Sequence, residues 1–336
     1  MIKVAVWGTG MMGQGLLGYI LDRPKQIDLV GVIDRHPEKH GRTVGETIGC
    51  DCDIQVTADF ASVLAKKPDV VCILTASNLS EIADQVEASV KAGANVIGIA
   101  ETLAYPQASD AEWTARFDAL AKQHGVSILG TGINPGFVLD ALPIAMSSIC
   151  LRIDRIEATR VNDLAPFGPT VMESQGVGTT VEQFEAGVAD GSIVGHIGFH
   201  ESIGLIASAL GWEIDEIVET RAPIVTTVER QTASAHVMPG EVCGCRHTAN
   251  GYSKGELKIE LIHPQQIRPE LEGVETGDYI NIIGDPNVSL ANKPEIPGGK
   301  GTYASVGNYI PLIGAAKPGI VTVADMPLPR FWSPTK

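Results

Sequence analysis

Three glycines near the start of the chain have the spacing of a phosphate-binding loop. Residues 8–13 read GTGMMG, a GxGxxG pattern between a predicted strand and a predicted helix. The first glycine of such a loop permits a tight turn, the second lets the backbone approach a pyrophosphate, and the third lets helix and strand pack closely. A glycine-rich turn in another kind of α/β protein is the alternative. The predicted dinucleotide site comprises Gly8, Gly10, Met11, Met12 and Gly13.

Asp34 ends the next predicted strand, about twenty residues further on, where dinucleotide-binding folds place an acidic residue. A carboxylate there accepts hydrogen bonds from the ribose hydroxyls and repels a 2′-phosphate, which favours NAD over NADP. The guanidinium of Arg35 could instead hold that phosphate, so NADP stays open. If Asp34 reads the ribose, Asp34→Ala improves the use of NADP relative to NAD. A simple turn residue is the alternative.

Glu101 is the sharpest catalytic candidate. It follows a predicted strand over 95–99, at the edge of the sheet where ligands bind in open α/β folds. A carboxylate near a hydride acceptor can take a proton from an ammonium or activate a water. An exposed loop glutamate is the alternative. Thr75 and Ser77 end the preceding strand at the same edge and are predicted to contact the cofactor.

A glycine-rich loop over 132–136 is predicted to pass between cofactor and substrate, where Asn134 could bond either one. A plain domain hinge is the alternative. Asn162 also ends a predicted strand and offers an acceptor to a cationic substrate. Arg160 could hold a carboxylate in a two-pronged bond, or could be a surface charge.

Five histidines lie in the second half of the chain, and a single histidine is more often structural than catalytic. His263 closes a predicted strand and His196 precedes a predicted helix, so these two lead as candidate substrate contacts. The full set is His196, His200, His236, His247 and His263.

The overall composition and charge of the chain limit the classes of protein to which it can belong. The chain of 336 residues is longer than a usual domain with a single hydrophobic core, which predicts two domains. The hydrophobic fraction of 44% suits a soluble enzyme, and the net charge of −15 argues against nucleic acid or an anionic membrane as partner. No stretch is apolar enough to span a bilayer, and the first strand leaves no room for a signal peptide, so we expect a cytoplasmic protein.

The six cysteines include two CxC pairs but lack the spacing of a zinc site, so no metal is expected. The chain also lacks the phosphate-binding GxxxxGK[ST], the zinc-binding HExxH and a nucleophile elbow. Nucleophilic and metal-dependent hydrolysis therefore have no support in the sequence.

The order of predicted elements gives the fold class. Strands and helices alternate through residue 130, which predicts an α/β protein with a Rossmann-type, doubly wound parallel sheet. Strand-rich runs then predict a second α+β domain with an open mixed or antiparallel sheet. We place the domains at 1–135, 136–301 and, for a returning C-terminal helix and tail, 302–336. The β runs are 153–161, 222–230, 233–248, 256–262 and 278–283; helices are predicted over 80–92, from a capping box at 109–112, over 137–148, from Thr180, over 197–210 and over 302–316.

Several longer motifs carry a family resemblance. They are GTGMMG at 8–13, AETLAYP at 100–106, GTGINPGFVLDALP at 130–143, VNDLAPFGP at 161–169, GHIGFHESIGLIASALGW at 195–212, IHPQQIRPE at 262–270 and NKPEIPGGKGT at 292–302. Together they resemble the 2,4-diaminopentanoate dehydrogenases and their relatives, the native amine dehydrogenases. The resemblance spans nearly the whole chain.

The resemblance implies NAD(P)-dependent oxidative deamination of (2R,4S)-2,4-diaminopentanoate, which is an intermediate of ornithine degradation. The amine at C4 would be oxidised, and the products would be 2-amino-4-oxopentanoate and ammonia. It implies that Glu101 handles the amine and that Asn162, His263 and Thr302 line the substrate pocket. The helix over 302–316 would lie by the nicotinamide, which makes Asn308 a candidate cofactor contact. The family also implies a homodimer built through the sheet of the second domain.

Other functions fit less well. An amine dehydrogenase acting on simple ketones and amines is the nearest alternative. Dihydrodipicolinate reductases resemble the first domain but carry a lysine motif that is missing here, and Thr102 stands where sugar oxidoreductases of the Glu-Lys-Pro type have their lysine. A non-catalytic, dinucleotide-sensing protein is the remaining alternative.

Overall fold

A computed structural model of the chain describes residues 1–335. The chain forms two compact units. The first combines residues 1–137 with the chain from Pro297 onward, and the second spans Val138–Ile296.

The strands are β1 (Ile2–Trp7), β2 (Ile27–Ile33), β3 (Val56–Thr57), β4 (Val70–Ile73), β5 (Asn95–Gly98), β6 (Ser127–Gly130), β7 (Arg152–Asp163), β8 (Glu216–Val225), β9 (Arg230–Gln231), β10 (His236–Val237), β11 (Val242–Ser253), β12 (Glu256–Gln266), β13 (Gly277–Asp285), β14 (Val288–Asn292) and β15 (Gly319–Val321). The helices are α1 (Met11–Leu21), α2 (Val44–Ile48), α3 (Phe60–Leu64), α4 (Ala83–Lys91), α5 (Ala111–His124), α6 (Ala141–Ser147), α7 (Pro169–Ser174), α8 (Val181–Asp190), α9 (Phe199–Leu210) and α10 (Gly298–Ile313).

The first unit contains a seven-stranded sheet in the order β15-β6-β5-β4-β1-β2-β3, and every pairing is parallel. The predicted doubly wound parallel sheet is confirmed. All four residues of β4, VVCI, are buried, as expected for a central strand covered on both faces. The strand order reverses between β1 and β4, which places the carboxyl ends of these strands where such folds bind ligands.

Helices α1 and α10 pack closely in this unit because glycines remove side chains from their contact. A Cβ on Gly15 would lie 2.2 Å from the ring of Tyr303, and one on Gly307 would lie 2.5 Å from the ring of Tyr19. Following α10, β15 pairs with β6 and extends the parallel sheet.

The second unit contains a six-stranded mixed sheet in the order β14-β13-β7-β12-β11-β8. Strands β7 and β12 pair in parallel, and the other pairs are antiparallel. The predicted open mixed sheet is confirmed. Its buried face carries apolar residues such as Ala158 and Leu261, which alternate with half-buried residues along the central strands β7 and β12.

Several predicted boundaries were wrong. The runs 222–230 and 233–248 are not two long strands: β8 ends at Val225, and a turn at Gly240, which has a φ of +93°, separates the short β9 and β10 from β11. Helix α6 begins four residues after the predicted start, because Asp140 caps it. Helix α5 is capped by Asp110, whose carboxylate accepts from the N–H of Trp113, rather than by a box starting at position 109. Helix α10 begins and ends a few residues before the prediction.

Within residues 1–335, no helix is both long and apolar enough to cross a membrane. The same part of the chain holds no group of three or more His, Cys, Asp or Glu side chains arranged for a metal ion.

Candidate active site

The glycine loop lies between β1 and α1, and each glycine has a distinct steric role. Gly8 has a φ of +106°, and a Cβ there would lie 2.5 Å from the carbonyl oxygen of Leu74. A Cβ on Gly13 would lie 1.9 Å from the carbonyl oxygen of Gly8, so the third glycine lets α1 approach the loop. By contrast, a Cβ on Gly10 meets no described atom within 4 Å. The backbone is therefore open at Gly10, at the N-terminus of α1, which fits a dinucleotide pyrophosphate.

The two methionines of the loop differ in exposure. Met11 is 57% exposed, whereas Met12 approaches the start of α10, where its methyl carbon would lie 2.9 Å from a Cβ on Gly299. The first turn of α10 therefore lies against the glycine loop within this unit.

Asp34 follows β2 and is 4% exposed. Its Oδ2 accepts from the backbone N–H of Thr9 at 2.8 Å and from the Thr9 hydroxyl, and its Oδ1 accepts from the N–H of His36 at 3.0 Å. Burial alone would raise the pKa of this carboxyl, but these bonds, together with Lys39, hold the pKa well below its usual range. An ionised carboxylate thus anchors the middle of the glycine loop.

The guanidinium of Arg35 does not pair with the carboxylate of Asp34 in this structure. Its guanidinium pairs with Asp84 at 2.6 Å, on the exposed surface of the first unit.

Glu101 lies just past the carboxyl end of β5, where it begins a short 3-10 turn, Glu101–Leu103, and is half-buried. The turn is tied to the end of the neighbouring β4 because the N–H of Thr102 donates to the carbonyl of Ser77 at 3.3 Å. It also packs on β6, since a Cβ on Gly130 would lie 2.2 Å from the carbonyl oxygen of Leu103. Glu101 is therefore held on the ligand-binding edge of the parallel sheet.

Thr75 lies at the same edge, two residues after β4, and its hydroxyl donates to Gln85 at 2.9 Å. Its methyl carbon would lie 2.9 Å from a Cβ on Gly8, so Thr75 lies beside the glycine loop, and cofactor contacts by Thr75 and Ser77 stay predictions.

The loop that carries Asn134 is held on α10. The hydroxyls of Thr131 and Ser305 lie 2.8 Å apart, and the N–H of Ile133 donates to the hydroxyl of Thr302 at 3.3 Å. The structure thus brings Thr302 and the loop of Asn134 together. This was not visible in the sequence, where the two are far apart.

Asn308 lies further along α10, and its amide oxygen accepts from the Tyr19 hydroxyl at 2.9 Å and from the N–H of Trp332 at 3.0 Å. These bonds tie that oxygen to Tyr19 on α1 and to the C-terminal tail, and a cofactor contact by Asn308 stays a prediction.

In the second unit, the predicted substrate residues His196 and His263 are brought together. Their ring centroids lie 4.8 Å apart in an edge-to-face contact. His263 on β12 is 4% exposed, and Asn162 on β7 is 6% exposed and is paired in register with Gln265. Asn162 and His263 therefore lie on the buried face of the mixed sheet, and His196, in the segment before α9, packs against His263.

These histidines are held neutral. Burial, with contributions from His247 and Arg160, lowers the pKa of His196 to about 3. Burial likewise places the pKa of His263 well below its usual value, with His196 and Arg160 adding to the effect. Neutral imidazoles can both donate and accept hydrogen bonds, which suits contact with a polar substrate.

Arg160 is 2% exposed, so the surface-charge alternative was wrong. Its guanidinium pairs with Asp278 and also donates to the carbonyl of Ile296 at 2.6 Å.

Sequence reasoning missed Glu219, which organises the histidines. Its carboxylate pairs with Arg221 at 2.6 Å and lies 3.4 Å from Nε2 of His247, whose Nδ1 accepts from the N–H of His196 at 3.0 Å. Burial would raise the pKa of Glu219, but bonds from His200 and His247 lower it. Alternation along β8 places residues 219 and 221 on one face and could have drawn attention to the pair.

Two family models match the chain. One, described as the 2,4-diaminopentanoate dehydrogenase C-terminal domain, matches residues 137–335. The other, described as an oxidoreductase family with an NAD-binding Rossmann fold, matches residues 2–130.

Similar proteins agree with these matches. The chain is 44% identical to a 2,4-diaminopentanoate dehydrogenase of Acetoanaerobium sticklandii, over 98% of this chain and 94% of that protein. It is 27% identical to an amine dehydrogenase of Streptomyces virginiae, over 98% and 97% of the two chains. Among solved structures, an amine dehydrogenase from Mycobacterium smegmatis matches with a TM-score of 0.87 and 26% identity, over 98% and 97% of the two chains.

Proposed function

Because the chain belongs to the 2,4-diaminopentanoate dehydrogenase family, we propose that it catalyses the oxidative deamination of (2R,4S)-2,4-diaminopentanoate at C4. Water is consumed, and the products are 2-amino-4-oxopentanoate, ammonia and the reduced cofactor. The observation that carries the proposal is the position of Glu101, a half-buried carboxylate on the ligand-binding edge of a parallel sheet. On the family resemblance, we also propose that the reaction belongs to ornithine degradation.

NAD or NADP would be held by the open backbone of the glycine loop, with Gly10 at the pyrophosphate and Asp34 at the adenosine ribose. When bound, the nicotinamide supplies the acceptor for the hydride that leaves C4. Thr75 and Ser77 lie at the same edge of the sheet and are proposed contacts to the cofactor. Asp34 supports the use of NAD.

Glu101 is proposed as the general base. The C4 ammonium of the substrate must lose a proton before C4 can release hydride, because the nitrogen lone pair stabilises the developing iminium. A carboxylate can accept that proton and, once the proton has passed to solvent, can accept a second proton from the water that adds to the iminium carbon. That second proton passes to the departing amine, so one group serves both halves of the reaction and one proton is released for each ammonium ion formed.

Contacts to the diamino acid are proposed for Asn134 and Thr302, and for Asn162, His196 and His263. The neutral imidazoles of His263, which is buried, and His196, which is half-buried, support this role because they can hydrogen-bond an ammonium or a carboxylate without adding a competing charge. An ammonium also favours carbonyl acceptors such as those of the two asparagines.

A homodimer is proposed through the open face of the mixed sheet. One row across this face is uncharged and half-buried or exposed: Tyr279, Thr159, Ile262, Thr248 and Thr220. An uncharged row of this kind suits the centre of an interface between two copies of the chain. Ile262→Glu is expected to give monomers in sedimentation experiments, and a monomeric native protein would contradict the proposal.

An amine dehydrogenase acting on simple amines is the second candidate, favoured by the similarity to proteins of that name. The discriminating assay follows reduction of NAD and of NADP, each in a separate reaction, with 2,4-diaminopentanoate or with 2-aminopentane. The second compound keeps the carbon chain and one amine but lacks the carboxylate. Faster reduction with the diamino acid supports the proposal, and faster reduction with the simple amine supports the alternative. Binding of NADH without amine-dependent reduction would indicate a dinucleotide sensor.

A further inference from the structure

Lys39 forms an ion pair with the acidic residue at the end of β2. It ends a short 3-10 turn, Pro37–Lys39, and its Nζ lies 2.9 Å from Oδ2 of Asp34. The side chain of Lys39 is 29% exposed, whereas that of Asp34 is 6% exposed. The ammonium is therefore within reach of solvent, while the carboxylate beneath it is not.

The oxygens of Asp34 are largely occupied by the protein itself. Oδ2 accepts from both the backbone and the hydroxyl of Thr9, and Oδ1 accepts from the N–H of His36. These bonds keep the carboxylate ionised and turned towards the glycine loop. Its negative charge is compensated by Lys39. A second anion bound at the end of β2 would therefore lie beside an ion pair and not beside an unpaired carboxylate.

The other cation beside Asp34 in the sequence is directed elsewhere. Arg35 pairs with Asp84 on the surface, where both side chains are more than half exposed. Lys39 is thus the cation that the described structure places against the carboxylate, although sequence position alone had favoured Arg35.

We propose that Lys39 determines the selectivity between NADP and NAD, by donating to the 2′-phosphate of NADP while it neutralises Asp34. In dinucleotide-binding folds this acidic position lies at the 2′-hydroxyl of the adenosine ribose. An ammonium has three donors, and the bond to Asp34 uses one of them, so donors remain for a phosphate. The inference rests on the proposed function only in taking a nicotinamide dinucleotide as the ligand.

The test measures binding, not turnover. Dissociation constants for NADPH and NADH are obtained from nucleotide fluorescence, and those for 2′,5′-ADP and ADP by calorimetry, for the native protein and for Lys39→Met, Lys39→Gln and Lys39→Arg. We expect Lys39→Met and Lys39→Gln to raise the dissociation constants for NADPH and 2′,5′-ADP about tenfold or more, as for loss of a charged hydrogen bond. The dissociation constants for NADH and ADP should change far less. Arg should retain most of the affinity for NADPH.

Lys66→Met is the matched control, because Lys66 is exposed in the same unit and donates to the carbonyl of Val30, away from Asp34. Melting temperatures check that each variant is folded, and the Gln variant serves if the Met variant is not. The proposal would be overturned if the Lys39 variants bound NADPH and NADH equally weakly, or if they bound NADPH as tightly as the native protein. It would also be overturned if Arg35→Met, and not the Lys39 variants, lost NADPH binding. A native protein that binds both nucleotides but fails to oxidise 2,4-diaminopentanoate would refute the proposed substrate and leave this inference standing.

Discussion

Arg160 and Asp278 form an ion pair that is almost completely removed from solvent, with side-chain exposures of 2% and 1%. Strands β7 and β13 place the two residues in register. Burial lowers the pKa of Arg160, while the neighbouring Asp278 raises it. Arg160 also contributes to the lowered pKa values of His196 and His263, so the pair holds a charge that acts on the residues proposed to bind substrate.

Asp278→Ala should strongly destabilise the protein, because it leaves a buried guanidinium without its counter-ion. Removing one partner of a buried pair typically costs about 3–5 kcal/mol. Urea unfolding measures the free energy, and Asp154→Ala is the matched control, since Asp154 pairs with Arg152 on the same strand at the surface. Equal effects of the two substitutions would show that burial does not set the contribution of Asp278.

Two alanine substitutions in the glycine loop are expected to have different effects, one on stability and the other on nucleotide binding. Gly13→Ala should destabilise the first unit by about 1–3 kcal/mol or more, because its Cβ would meet the carbonyl oxygen of Gly8. Gly10→Ala should keep stability within about 1 kcal/mol, since that position is open and its φ of −69° suits alanine. The added methyl occupies the space proposed for the pyrophosphate, so NADH affinity should fall about tenfold. Thermal unfolding and NADH titration measure the two effects. Normal NADH binding by Gly10→Ala would contradict the proposed binding of the pyrophosphate at Gly10.

The first unit was the more predictable half of the molecule because its determinants are local. The GxGxxG loop and the apolar run of β4 are each encoded within a few residues, and each is present as expected. Glu101 could be placed at the sheet edge for the same reason, since it directly follows a strand.

The remaining features depend on contacts between distant parts of the chain. Nothing near Arg160 in the sequence indicates that Asp278, more than a hundred residues later, neutralises it. The hydrogen bond from the N–H of Ile133 to Thr302 likewise requires the return of α10. Strand boundaries around β8 to β11 were wrong because the alternating apolar pattern continues through residues that turn at Gly240.

Stability should fall as pH decreases from about 6.5 to 5, because His196 and His263 are neutral in the folded protein. Their pKa values lie well below the ordinary 6.5, to about 3 for His196, so in this range the unfolded chain binds protons that the folded protein does not. Each such histidine contributes up to about 1.4 kcal/mol per pH unit, a slope reached once the unfolded imidazole is protonated. The lowered pKa of Asp34 acts in the same direction but only below its ordinary value of 3.8. Urea unfolding across this range measures the slope, which His263→Gln should reduce and His236→Gln, at an exposed position, should not. A flat profile would indicate that these imidazoles are charged when folded.

Asp34→Ala should change both affinity and selectivity. Loss of the carboxylate frees Thr9, so the glycine loop is less well positioned and both nucleotides bind more weakly. Lys39 remains and no longer shares its charge with a carboxylate, so it can bind the 2′-phosphate more strongly, and the ratio of NADP to NAD affinity should rise about tenfold. Fluorescence titration with NADPH and NADH gives both quantities, and an unchanged ratio would mean that Asp34 has no part in reading the ribose.

Glu101→Gln should lower kcat about 100- to 10,000-fold, the usual contribution of a general base, while NADH affinity stays within about threefold. The amide keeps the size of the side chain and its place in the 3-10 turn, but it cannot accept the proton of the C4 ammonium. Raising the pH should recover part of the rate, because a larger fraction of the amine then binds already deprotonated, whereas a purely structural defect would persist at every pH. The matched control is Glu112→Gln, at an exposed glutamate in the first turn of α5, which should turn over like the native protein. Near-native kcat for Glu101→Gln at neutral pH would assign the proton transfer to another group.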